Sequence, residues 1–224
     1  MKPFVFSNRA HAGQLLADAL MTYADRDDVI VLALPRGGVP VAYEVAKKLH
    51  APLDVLVVRK LGAPGFAEFA MGAIATGGVR VIHPAVIQTL GIPQAALEAE
   101  AAVQLQELNR REMAYRGHTG APRVDGRIVI LVDDGIATGS TTRAAVLALR
   151  KQDPKKIILA VPVAAPDSCE ELKPIVEDLV ALMTPKDFRG VSQWYEDFEQ
   201  ATDAEVTQLL AKASHLEPKP VCGK

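Results

Sequence analysis

Five branched apolar residues in succession, Ile128-Val129-Ile130-Leu131-Val132, run into two adjacent carboxylates, Asp133 and Asp134. A loop of small and hydroxylated residues follows, Gly135-Ile136-Ala137-Thr138-Gly139-Ser140-Thr141-Thr142. An apolar run without polar alternation is the pattern of a strand covered on both faces, as in the interior of a parallel sheet. Open α/β sheets hold ligands beyond the C-terminal ends of their strands, where this carboxylate pair stands. The loop opens a helix at about Thr141, and backbone N–H groups and hydroxyls at a helix N-terminus suit a phosphate. Carboxylates suit a polyhydroxyl group or a metal, so the whole run suits a sugar phosphate.

Other phosphate loops fit less well. A Walker A loop needs G-x-x-x-x-G-K-[ST], whereas Gly135 and Gly139 are too close and Ser140 stands in place of the lysine. The dinucleotide pattern G-x-G-x-x-G is absent. The remaining alternative is an ordinary βα turn in which Thr or Ser caps the helix and both aspartates are solvated.

Along the chain, helical spacing covers His11 to Ala24, followed by a strand over Val29 to Leu34 and a helix over Val39 to Leu49, with Pro40 in its first turn. A second parallel strand is predicted over Leu53 to Val58. A turn-rich stretch then leads to a hairpin of Ala70–Ala75 and Val79–Ile82 joined through Thr76-Gly77-Gly78. Helices are predicted over Pro84–Leu90 and Pro93–Arg116, the second long and charged, its outer face solvated or in contact with a second copy. After Ser140–Lys151 come a strand (Lys156–Val163), a helix (Asp167–Val176) and a last strand (Leu179–Met183). This alternation predicts a doubly wound α/β fold with a mostly parallel sheet flanked by helices, a β-hairpin with a flexible loop, and a small C-terminal hood. The expected division is a core over 1–183 (with the helical segment 84–116), a hood and helix over 184–214, and a loose tail over 215–224.

Two further strand ends carry cations beside glycine. Leu34-Pro35-Arg36-Gly37-Gly38 lets the backbone approach a ligand closely and offers an arginine fork matched to phosphate oxygens. On its own it reads equally as a tight turn with an exposed arginine. Val58-Arg59-Lys60 places two cations next to a Gly/Pro loop, which suggests a second anion contact or a solvated surface pair. Four aromatics, Phe188, Trp194, Tyr195 and Phe198, fall within eleven positions. They can stack on a planar ligand or pack the C-terminal helix onto the domain.

Composition narrows the classes. With 49% hydrophobic and 23% charged residues among 224, the chain can build a full core. A net charge of -2 and the lack of a basic block argue against a nucleic-acid surface. No apolar run approaches a membrane span, and the N-terminus lacks the apolar stretch of a signal peptide. Cys169 and Cys222 are distant in sequence and form no metal-type pair, so a reducing cytoplasm is the expected setting.

The 128–142 run closely resembles the signature of type I phosphoribosyltransferases, which bind 5-phosphoribosyl 1-diphosphate. With Pro-Arg-Gly-Gly, Arg-Lys-Leu-Gly and Trp-Tyr-Glu-Asp-Phe, the chain resembles a little-characterised bacterial branch of that family. The resemblance implies transfer of a phosphoribosyl group to a nitrogen of an acceptor, with release of pyrophosphate. It implies that Asp133 and Asp134 contact the ribose, that Ala137, Thr138, Gly139, Ser140, Thr141 and Thr142 cradle the 5-phosphate, and that Arg36, Gly37, Gly38, Lys60 and then Arg59 hold the diphosphate. Asp133, Asp134, Lys60 and Arg36 are the expected catalytic set. Mg²⁺ is the expected cofactor, carried mostly by the donor and water and touched indirectly by the two aspartates. The family's first glycine loop commonly holds a non-proline cis peptide, expected here near Arg36–Gly37. A mobile catalytic loop is expected over Leu61 to Phe69, short for the family. The hood would grip the acceptor through Phe188, Trp194 and Tyr195. Ala137 stands where 6-oxopurine enzymes carry an aspartate, which points away from hypoxanthine or guanine. A homodimer is expected. Two other readings remain: a regulatory protein that binds the donor without turnover, and a phosphatase-like domain using the aspartate pair on magnesium.

Overall fold

Val29–Ala33 (β1) and Ile128–Val132 (β6) are buried along their whole length and lie side by side in parallel, Val29 opposite Ile128 and Ala33 opposite Val132. They form the centre of a five-stranded parallel sheet ordered β2-β1-β6-β7-β8 in the computed structural model, which describes residues 4–214. The flanking strands are Leu53–Val55 (β2), Lys156–Val163 (β7) and Asp178–Met183 (β8).

Alternation along each strand divides the core in two. Val29, Val31, Ile128, Ile130 and Val132 face helices Arg9–Ala19 (α1), Gly38–Leu49 (α2), Gln94–Arg116 (α4) and Asp203–Ala213 (α7). Ile30, Leu32, Val129 and Leu131 face Ser140–Arg150 (α5) and Pro166–Leu172 (α6). Both faces are covered, which is why the strands read as unbroken apolar runs. The first helix starts two residues earlier than its apolar spacing predicts, because the Asn8 side chain accepts the His11 N–H at 2.9 Å and caps it.

The predicted strand over 53–58 is two strands in different sheets. β2 pairs with β1 only as far as Ala33 opposite Val55. At Val57 the partner changes: Thr76 N–H donates to the Val57 carbonyl, and Val57 N–H donates to Thr76 Oγ1, both at 2.9 Å. Val58–Ala63 (β3) then joins Phe66–Ala75 (β4) and Val79–Ile82 (β5) in a separate antiparallel sheet. Residues 61–69, predicted as a loop, are mostly strand: Gly62 pairs with Ala70 and Ala63 with Phe66. Pro84–Thr89 (α3) follows. The charged helix α4 is more than a solvated face. Its stripe of Leu97, Ala101, Leu108 and Tyr115 is buried in the core.

Residues 215–224, including Cys222, and residues 1–3 lie outside the described residues. Among those described, no helix is long and apolar enough to cross a membrane.

Candidate functional site

The turns after β1 and β6 are bonded to one another at the C-terminal edge of the sheet. Leu34 N–H donates to the Val132 carbonyl at 2.9 Å, and Gly38 N–H donates back to Leu34 at 3.1 Å. The loop 34–38 therefore lies flat against the end of β6. A Cβ on Gly37 would fall 2.0 Å from Asp134 Oδ2, and one on Gly38 would fall 2.8 Å from the Val132 carbonyl oxygen. Only glycine allows this approach. The cis peptide of this loop is Pro35–Arg36, one bond before the position expected from the family resemblance.

The two carboxylates have different surroundings. Asp133 Oδ1 accepts the Asp134 N–H at 2.9 Å, and among the described residues no donor reaches its Oδ2. Asp134 Oδ2 accepts Arg9 Nε at 2.8 Å, and its backbone carbonyl accepts the Tyr195 hydroxyl at 2.6 Å. Burial pushes both carboxyls above the ordinary aspartate range. The charge of Asp134 adds to the push on Asp133, while Arg9 opposes the push on Asp134.

The loop after the carboxylates is anchored at both ends. Ile136 is buried and exchanges hydrogen bonds with Val163 and Ala165 at 2.9 Å, which fixes it to the end of β7. Ser168 on α6 donates to the Ala137 carbonyl at 2.5 Å. Gly139 adopts φ +68° at the N-cap of α5, a left-handed conformation that favours glycine. Ala137, Thr138, Ser140 and Thr141 are exposed, and the first-turn N–H groups of α5 have no carbonyl one turn back to accept them. Thr142 is buried, 3% exposed, unlike Ser140 and Thr141 before it.

The cations separate. Lys60 is exposed and lines a cleft of about 390 Å³ together with His83, Thr138, Ser140 and Arg143. Arg59, one residue earlier on β3, is held by α4 instead, where its Nε donates to Gln104 Oε1 at 2.8 Å. Arg36 stands at the rim of the site with its Nη1 3.8 Å from Asp203 Oδ1. The same oxygen accepts the Tyr115 hydroxyl at 2.9 Å.

Of the expected acceptor aromatics, Trp194 and Tyr195 are buried and Phe188 is half-buried. Trp194 and Tyr195 are 8% and 6% exposed and form a cluster with Phe6 and Val163, against which Phe188 and Phe198 pack. The reason is a backbone pairing the sequence does not announce. Phe6 N–H donates to Trp194 O and Glu196 N–H donates to Phe6 O, both at 2.8 Å, which seals the aromatic segment under the N-terminal one.

Among the described residues, no group of three or more His, Cys, Asp or Glu side chains could hold a metal. The available donor set is the open oxygen of Asp133 beside the tied carboxylate of Asp134. That set fits a magnesium ion that takes most of its ligands from phosphate and water.

Three residues near this edge were not singled out from the sequence: Arg9, His83 and Arg143. Only Arg143 left a signal. It lies one helical turn beyond Gly139, and helix side chains lean toward the N-terminus, so its position beside the loop follows from spacing.

A sequence model of the phosphoribosyl transferase domain matches residues 7–182. Curated proteins from two strains of Mycobacterium tuberculosis, each provisionally named a phosphoribosyl transferase, are 44% identical over 209 residues, covering 93% of this chain and 47% of their own. The chain thus spans about half the length of these relatives. The crystal structure of the Thermus thermophilus protein TT1426 superposes with a TM-score of 0.83 at 44% identity, covering 93% of this chain and 99% of that one.

Proposed function

The chain belongs to the phosphoribosyl transferase domain family, and from that premise we propose that it transfers the 5-phosphoribosyl group of 5-phosphoribosyl 1-diphosphate to a nitrogen of an acceptor. The observation that carries this reading is the carboxylate pair at the end of β6, followed directly by an exposed Ala137–Thr141 turn that opens α5. Hydroxyl acceptors and phosphate donors stand in the order that a ribose 5-phosphate presents them.

In this reading the 5-phosphate sits on the N–H groups and hydroxyls of residues 137–142, favoured by the helix N-terminus. The ribose hydroxyls donate to this carboxylate edge, where Asp133 offers its open oxygen. Arg36, at the rim, and Lys60, in the cleft beside the loop, bring positive charge to the diphosphate. The bond from C1 to the diphosphate oxygen breaks as the bond from C1 to the acceptor nitrogen forms, and pyrophosphate leaves with the electron pair. Positive charge that develops on the ribose ring is stabilised by the neighbouring carboxylates. Bound magnesium would supply charge neutralisation of the departing diphosphate. Ala137 offers no carboxylate at the position where the 6-oxopurine enzymes have one, which favours a different acceptor class.

A pyrophosphate-release screen with donor, Mg²⁺ and a panel of bases and amines tests the proposal. Release that depends on one acceptor class is the expected result. Donor binding without release across the panel would assign the chain to donor-binding regulators, and no donor binding would overturn the reading altogether.

A further inference from the structure

Adjacent carboxylates at a ligand site are easily given one shared role, yet these two are held differently. The Asp134 side chain is 15% exposed, and protein holds both its carboxylate and its backbone. Arg9 donates to Oδ2 at 2.8 Å, Gly37 presses on the same oxygen, and the Tyr195 hydroxyl holds the backbone carbonyl at 2.6 Å. Arg9 is itself locked. Its Nη1 donates to the Glu199 carbonyl at 2.6 Å, its guanidinium lies 3.9 Å from the Phe198 ring centroid, and its side chain is 12% exposed. A planar fork can make two such bonds and a stack at once, which lysine cannot. Asp133 is held less tightly: its Oδ1 takes the neighbouring N–H, and among the described residues no donor meets its Oδ2.

We infer that Arg9 is a positioning residue that fixes Asp134 as the anchor of residues 194–199 on the end of β6, leaving Asp133 as the carboxylate that meets the hydroxyls of the ligand. The inference rests on the phosphoribosyl-donor reading for its ligand and on the Arg9–Asp134 geometry for the anchor. It makes the first turn of α1 part of the donor site without any contact to the donor. It also gives the aromatic segment a purpose other than stacking, since Tyr195 and Phe198 hold the two partners of the ion pair.

The test is a double-mutant cycle on the full chain with two readouts, donor affinity by isothermal titration with Mg²⁺ and thermal unfolding without ligand. Arg9→Ala and Asp134→Asn should each weaken donor binding about tenfold, the loss of one charge-assisted hydrogen bond. The double variant should bind no worse than the weaker single one, because both remove the same link. Arg9→Lys, which keeps the charge without the fork, should recover part of the loss. Without ligand, Arg9→Ala and Asp134→Asn should lower Tm by roughly 3–12 °C, whereas Asp133→Asn should not lower it, since it removes one of two neighbouring like charges. Multiplied affinity losses in the double variant, or equal Tm losses for Asp133→Asn and Asp134→Asn, would overturn the inference. If wild type fails to bind the donor, the functional reading fails, and the Tm arm alone still decides whether Asp134 is the anchor.

Discussion

Gly37 and Asp134 are in contact so close that a Cβ on the glycine would lie 2.0 Å from the carboxylate oxygen that accepts the Arg9 bond. The glycine loop and the carboxylate pair are therefore one packed unit across the β1–β6 edge. Gly37 has φ -60° and ψ -32°, a conformation open to alanine, so Gly37→Ala tests the contact and not the backbone. We predict a stability loss of about 1–3 kcal/mol by urea denaturation, typical of overpacking. The loss should shrink in an Asp134→Ala background, where the clashing oxygen is gone. An equal loss in both backgrounds would show that the contact is not the cause.

Trp194 is the only tryptophan, and its ring is buried with Phe6 and Tyr195. Trp194→Ala should cost about 3–5 kcal/mol, the usual range for truncating a large buried aromatic. Its fluorescence should stay unchanged when acceptors are added to folded protein and shift to the red on unfolding. A stable Trp194→Ala variant with selectively impaired acceptor use would return this residue to the acceptor pocket.

Arg36 is held 3.8 Å from Asp203 and is one-third exposed, so it can turn to a ligand at modest cost. Arg36→Ala should weaken binding of the diphosphate donor roughly tenfold to a hundredfold and leave ribose 5-phosphate nearly unaffected. Asp203→Asn, which releases the arginine, should tighten donor binding. Equal losses for both ligands in Arg36→Ala, measured by competition titration, would assign the residue to the shape of the turn.

Burial, and then the bond to Asp203, push the Tyr115 phenol up to about 12, above the usual value of roughly 10. Because the folded value is raised, the stability that Tyr115 contributes is complete below about pH 10 and is withdrawn as pH rises through about 12. Urea midpoints compared at pH 8 and pH 11 should therefore fall more steeply for wild type than for Tyr115→Phe. Parallel declines would place the alkaline sensitivity elsewhere.

The central strands and the carboxylate loop were legible because each is contiguous: Ile128–Val132 carries its burial in its own composition, and residues 133–142 carry their chemistry in order. Leu53 to Val58 misled because an apolar run does not reveal where its partner stops. β1 ends opposite Val55, and Thr76 captures Val57 for the other sheet. Arg9 was invisible because its partner lies 125 residues away. The aromatics of 188–198 were ambiguous for a different reason: a ring that stacks on a ligand and a ring that fills a core have the same sequence signature, and only the pairing of Phe6 with residues 194–196 distinguishes them.

The most direct measurement is titration of 5-phosphoribosyl 1-diphosphate with Mg²⁺ into wild type and Asp133→Asn, with urea midpoints to verify folding. Wild type should bind saturably and Asp133→Asn at least about tenfold more weakly, the loss of a hydrogen bond to a charged group, with the variant folded as stably as wild type. No heat from wild type at millimolar donor, or equal affinities for the two proteins, would contradict this reading.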